Sequence, residues 1–590
     1  MERSNVKDIY KWDTKSLFTS EKDWEKLYTE TEKNINFDKF KDKLGDINIL
    51  LKCLKEQEKI SINVEKLYLY AHMRVDEDTR ISKFNAMHSK ATSLYVKLSS
   101  ESSFIVPELT ELKKEVLIEY SKSEILKDYD YMLKEIIKNK AHILPKNEEN
   151  LLALGGDVFS SFKDIFSMID NADLPLPEID DGKGGKIKLS HGMYGVLLHG
   201  TDRNLRKTAF KEYYKAYISL INTISTTYYG NVKKDVYLSK IRKYKSCLDK
   251  ALSTEDVETA VYENLLKSVN DALPIMHKYI EARKKALNLK EMHMYDIYAP
   301  IAEGVELKLT YEKAYELVLE GLKPLGEDYQ ALLKQGYSEG WIDVEETDAK
   351  RSGAYSTGIY NHHPYVLLNY QQTTHDVFTI AHEMGHSIHT HYSNSNQPYA
   401  KADYRIFVAE VASTVNEVLL LKHILKIADN DKLKKYLLSY FIDMIRTTLF
   451  RQTMFAEFEY IVHDLVEKGQ PLNKDNMNEI YLKLNKKYYG DSIISDDEIA
   501  YEWARIPHFY TSFYVYKYAT GIISAISIAE KILKEGEPAV KEYKKFLSSG
   551  GSDSPVELLK LAGIDLTSTK PFERAMQVFS DTLEEFIKGK

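Results

Sequence analysis

The chain is expected to be mainly α-helical, on three observations. Long stretches such as residues 64–72 and 125–134 repeat apolar residues every three or four positions, with no internal glycine or proline. Stretches of strand composition are few and short, at residues 353–358 and 364–370. No period of 20–50 residues recurs, which excludes a helical-repeat solenoid.

Composition bounds the class of protein. At 590 residues the chain is long enough for several domains and a large core, and 43% hydrophobic with 29% charged residues is an ordinary globular balance. A net charge of −8, with lysines and glutamates interspersed, argues against nucleic acid and against an anionic membrane surface as partners. The first residues lack the apolar centre of a signal peptide, and no run of eighteen apolar residues follows. Cys53 and Cys247 are too few and too far apart for a disulfide framework or a metal knuckle. A cytoplasmic location is expected.

Taken in order, residues 20–140 read as long amphipathic helices. Residues 174–189 differ: Pro175, Pro177 and the run Asp180-Asp181-Gly182-Lys183-Gly184-Gly185 mark a short hairpin or a boundary. Helices resume at Asp202 and dominate to the end. This predicts an N-terminal helical region at 1–110, a helical region ending in the hairpin or boundary at 111–190, and a third region at 191–590. Within the third, residues 353–358 and 364–370 are strand-like, and Gly353 and Ala354 leave room for a peptide backbone to pair along an edge.

Directly after them, Thr373 or Thr374 is a suitable N-cap and Asp376 suits the first turn of a helix. Val377, Ile380, Ala381, Met384 and Ile388 make its apolar stripe. Beside that stripe lies His382-Glu383-Met384-Gly385-His386. Residues four apart share a helix face, so His382 and His386 can aim two imidazoles at one zinc ion. Glu383 leans toward the same space, where a carboxylate can take a proton from a nucleophilic water. A catalytic zinc takes a third protein ligand. The best local choice is Glu410, on a second apolar helix from about residue 406, with Ala409, Ala412 and Ser413 allowing close approach. The alternative is a glutamate on the helix surface. Ser393 to Pro398 read as the loop between the two helices.

Residues 506–521 hold His508 and a cluster of tyrosines. Read as a helix, Tyr510, Tyr514 and Tyr518 share a face and Tyr516 points elsewhere. A phenol or a protonated histidine can donate to an oxyanion, whereas an aromatic helix that only fills space is the plain alternative.

The run from Asp376 to His389, the stretch Phe407 to Thr414, the block Arg451-Gln452-Thr453-Met454-Phe455-Ala456-Glu457-Phe458-Glu459, the start at Tyr10-Lys11-Trp12-Asp13 and the Gly521 region resemble oligoendopeptidase F of the thimet oligopeptidase group of zinc metallopeptidases. The resemblance covers essentially the whole chain. It implies a large helical metallopeptidase with a small β-sheet near the zinc helix and a deep channel between N-terminal and catalytic helical parts, the catalytic domain being residues 191–590. It implies one zinc ion on His382, His386 and Glu410, with Glu383 as general base. His508 matches a histidine that similar enzymes place opposite the zinc, and Tyr514 and Tyr518 are favoured beside it. Tyr510, Gly353 and Ala354 are expected against substrate, and Asp376 and Glu417 as outer support of the ligands. The implied activity is endopeptidase cleavage of short oligopeptides. The alternatives are a zinc exopeptidase, for which Arg446, Arg451 and Arg505 offer a terminus-binding charge, and a non-catalytic peptide-binding protein.

Overall fold

Asp46 accepts hydrogen bonds from the amides of Asn48 and Ile49 and so starts a helix of 31 residues, Ile47–Glu77, which contains no glycine or proline. Its buried face, from Leu50 through Val64 and Leu67 to Met73, lies against the helix Ser82–Ser102. Trp24 of the helix Glu21–Asn34 is wholly buried and donates to the Leu67 carbonyl at 2.9 Å. Each fully buried large apolar side chain contributes roughly 1.5–3 kcal/mol. Surface ion pairs such as Lys83–Glu21 contribute about 0–1 kcal/mol, so burial decides how these helices stack.

The structure, a computed structural model, describes residues 1–301 and 307–589. It divides into two compact units. The first joins Met1–Ile143, Glu306–Ile424 and Ile528–Ile564; the second joins Leu144–Val305, Leu425–Ser527 and Asp565–Lys590. Among the described residues, no helix is long and apolar enough to cross a membrane.

In the second unit, the hairpin expected near residue 180 is present. Strands β1 (Glu178–Asp180) and β2 (Lys186–Lys188) pair antiparallel, Ile179 opposite Ile187. Gly182 and Gly184 supply the positive φ that the turn requires.

In the first unit, strands β3 (Ile342–Asp343), β4 (Tyr355–Thr357) and β5 (Tyr365–Leu367) form a sheet in the order β3-β5-β4. β5 is parallel to β3 and antiparallel to β4, with Ser356 opposite Val366. Tyr365 and Leu367 enter the core of the N-terminal helices. The N-terminal segment ties the sheet down: Val344 donates to the Tyr10 carbonyl at 2.9 Å, Asp13 donates to the Gly340 carbonyl at 2.7 Å, and Trp12 meets Tyr365 edge-on. Asp343 of β3 is 1% exposed and is held by Arg3 and Lys350. Because β5 is the central strand, the edge of the strand-like region open to pairing is β4, and the stretch 364–370 offers none.

Candidate metal centre

Thr373, not Thr374, is the cap of the histidine helix, Thr374–Asn396. Its hydroxyl accepts from the Asp376 amide, and Asp376 accepts from the Thr373 amide in return. Asp376 also accepts from the Gln371 amide. The outer support expected of Asp376 is therefore a correction: its carboxylate is spent on the cap, more than one helical turn before His382. The loop expected at Ser393–Pro398 is a second correction, because the helix runs on to Asn396. Ser393 donates to the Ala402 carbonyl and Asn394 to that of Ile359, so these short polar side chains are satisfied without breaking the helix.

The second helix, Ile406–Ile427, crosses the first at Gly385. A Cβ on Gly385 would stand 2.6 Å from the Ser413 Cα and 2.8 Å from the Ala412 carbonyl oxygen. Glycine thus permits backbone contact, and the small residues expected at Ala412 and Ser413 are the other half of that fit. Asn416 locks the crossing: it donates to the Ala381 carbonyl at 3.0 Å and accepts from the Tyr329 hydroxyl at 2.9 Å.

This crossing brings together His382, His386 and Glu410. The two Nε2 atoms lie 3.2 Å apart, and Glu410 Oε2 lies 3.3 Å from one and 3.4 Å from the other. A tetrahedral ion with bonds near 2.0–2.1 Å has ligand–ligand edges of about 3.3 Å, so the three atoms fit such an ion. Glu417, about two turns further along the same helix, accepts from His382 Nδ1, which leaves Nε2 as the ligating nitrogen. Ser413 donates to Glu410 Oε2 at 3.1 Å.

The electrostatics call for a cation. Burial works against charge on His382, but hydrogen bonds to Glu410 and Glu417 outweigh it and push its pKa up to about 10. The Glu410 carboxyl is also partly buried, yet its histidine neighbours hold it well below the usual range. Glu383 is 7% exposed; burial raises its pKa, while the two imidazoles pull the other way. Three carboxylates around two imidazoles suit a dication, and Glu383 keeps the basicity a proton acceptor needs.

β4 adjoins this helix, with Ser356 Oγ 2.8 Å from Ser387 Oγ. That link was not read from the sequence, where two serines carry no signal. Gly353, at φ +85°, has open space where a Cβ would stand, and its carbonyl accepts from Asn369 at 2.8 Å. Ala354 follows it, one residue before β4.

His508, Tyr514 and Tyr518 belong to the second unit and meet there. His508 Nε2 lies 3.4 Å from the Tyr518 hydroxyl, the rings of His508 and Tyr514 are stacked at 5.9 Å, and Tyr514 meets Tyr518 edge-on at 5.6 Å. Desolvation, then the Arg451 charge, holds the His508 pKa below its ordinary value. The single helix expected across 506–521 does not form. A 3-10 turn spans Pro507–Tyr510, Phe513 takes φ +58°, and the helix begins only at Tyr516. Tyr510 is consequently turned away: it is 6% exposed and stacked on Phe166 at 4.4 Å. Arg446 is paired with Asp443, and Arg451 and Arg505 with Glu502. The structure therefore engages all three arginines considered for a substrate terminus.

Comparison with known proteins gives three kinds of likeness. The model of peptidase family M3 matches residues 196–578, and the oligopeptidase F model matches residues 108–175. Oligopeptidase PepF of Bacillus subtilis is 42% identical over 587 residues, spanning 99% of this chain and 88% of its own. An oligoendopeptidase F homolog of Lactococcus lactis subsp. lactis is 39% identical over 590 residues, spanning 99% and 98%. The crystal structure of oligoendopeptidase-F from Enterococcus faecium superposes with a TM-score of 0.73 at 34% identity, covering 96% of this chain and 98% of that one.

Proposed function

The chain belongs to peptidase family M3 and is a metalloendopeptidase, and we propose that it cuts oligopeptides internally using one zinc ion on His382, His386 and Glu410. The observation that carries the ligand set is the triangle of Nε2, Nε2 and Oε2 atoms at 3.2–3.4 Å.

Held by these three residues, zinc would supply Lewis acidity toward a scissile carbonyl and toward a water beside it. Glu383 takes the proton of that water and hands it to the departing amine. Glu417 fixes the ring of His382 through Nδ1 and sustains its basicity. The open edge of β4, with Gly353 and Ala354 before it, receives an extended peptide by main-chain pairing. Such pairing reads backbone rather than side chains, so sequence preference is broad. His508, Tyr514 and Tyr518 donate to the oxyanion of the tetrahedral intermediate, a role that rests on the resemblance of their segment and on their chemistry. Cys53 and Cys247, both free thiols, support a cytoplasmic location.

The test is cleavage of unstructured peptides of four to twelve residues, with products read by mass spectrometry. Internal cuts that stop with a chelator and return with zinc are expected. Stepwise release of terminal residues, or turnover indifferent to chelation, refutes the reading.

A further inference from the structure

Glu459 lies on the helix Arg451–Glu467 and is 0% exposed, as are Phe458 and Val462 of the same helix. An acid buried without a cation is costly unless its oxygens are used. One of them is: Oε1 accepts from the Phe513 amide at 3.0 Å. Oε2 has no hydrogen-bond partner among the described residues. Burial holds this carboxyl well above the ordinary glutamate range, and Asp235 adds to the push. A side chain needed only to fill space here would be apolar, so the oxygen facing Phe513 asks for an explanation.

Phe513 supplies it. Its φ of +58° lies in the left-handed region, which a bulky side chain adopts only when its surroundings impose it. The imposition comes from several sides. Ser512 donates to Asp235 at 2.6 Å. The Phe513 ring lies 4.6 Å from the ring of His463, whose Nδ1 is 2.8 Å from the Glu459 carbonyl oxygen. This turn joins the 3-10 segment bearing His508 to the helix bearing Tyr518, with Tyr514 directly after it.

We propose that Glu459 is a positioning residue: by accepting from the Phe513 amide it holds the left-handed turn that folds Tyr514 and Tyr518 back onto His508. The consequence for catalysis rests on the reading that His508 and Tyr518 act on substrate; the geometric claim does not.

The experiment uses the full-length, metal-loaded enzyme with Glu459→Met, which keeps length but removes the acceptor, and Glu459→Gln, which keeps the acceptor and removes the acid. In Glu459→Met, kcat is expected to fall roughly 10- to 100-fold with KM and metal content unchanged, as misplacement near 1 Å typically costs. Glu459→Gln is expected to stay within about twofold of the parent, since its side-chain oxygen can still accept. The imidazole NMR signals of His508, assigned by their loss in His508→Ala, should shift in the Met variant and return in the Gln variant. The proposal is overturned by an unshifted His508 signal with parental kcat in Glu459→Met, by a Gln variant as impaired as the Met variant, or by a Met variant that cannot fold, which would assign Glu459 to stability alone. A shifted signal with full activity in both Glu459→Met and His508→Ala would instead sink the catalytic reading of His508 and leave the positioning intact.

Discussion

The metal centre and the His508 cluster are built on opposite plans. His382, His386 and Glu410 stand on two regular helices in backbone contact, so their spacing follows from helix geometry and one glycine. His508, Tyr514 and Tyr518 flank a turn that is not helical, and a buried glutamate and a half-buried aspartate hold it from other helices. Regular secondary structure positions a site from local sequence; an irregular turn positions one only through distant partners. The first should lose function where a ligand, the base, the Glu417 support or the helix crossing is changed, the second also through partners distant in sequence.

The largest effect is expected at the ligands. Glu410→Ala should lose both bound metal and turnover, read by metal analysis beside peptide cleavage; a variant that keeps stoichiometric metal would remove Glu410 from the ligand set. Glu383→Gln should keep the metal and lose roughly 10²–10⁴ in turnover, the usual contribution of a general base. In the other region, Tyr518→Phe should lower kcat by roughly 10²-fold with KM and metal unchanged, as when one oxyanion donor is removed. Parental kcat there would return Tyr518 to a structural role and leave the comparison without a catalytic second half.

Glu417→Ala tests the boundary between ligand and support. It should weaken metal affinity about 10–100-fold without emptying the site, measured by titration against a competing chelator. If it empties the site while Glu410→Ala does not, the two carboxylates exchange roles. The smallest effect concerns pH. Glu459 has a raised pKa in the folded state, so its contribution to stability is full below the ordinary glutamate pKa and is lost as pH rises toward the folded value. Melting temperatures should therefore move in favour of Glu459→Gln, relative to the parent, as pH increases from 4.5 to 8. A difference independent of pH would mean that the acid does not titrate differently on folding.

The same contrast explains what could be read from the sequence. The histidine helix was legible because capping, apolar spacing and ligand spacing all agree over residues 373–389. Glu410 was legible as an acid in an apolar helix. Ser393 to Asn396 misled because short polar side chains, which usually end helices, find tertiary acceptors here. The stretch 506–521 misled for the opposite reason: its composition suits a helix, but the partners that bend it at Phe513 lie some 54 and 277 residues away, at Glu459 and Asp235. β3 has two residues, too few for any period to show. The two compact units were also hidden, since each is assembled from three separated stretches of chain.

The contact at Gly385 has one more consequence. Where two backbones touch, the gap between them is set by atoms that cannot rotate away, so the spacing of His382, His386 and Glu410 depends on that contact. Ligand edges of 3.2–3.4 Å suit a four-coordinate ion with bonds of about 2.0–2.1 Å, and parting the helices would act against the Asn416 and Tyr329 link. Gly385→Ala would force the two helices apart, so a single methyl group at the crossing should weaken metal binding without altering any ligand.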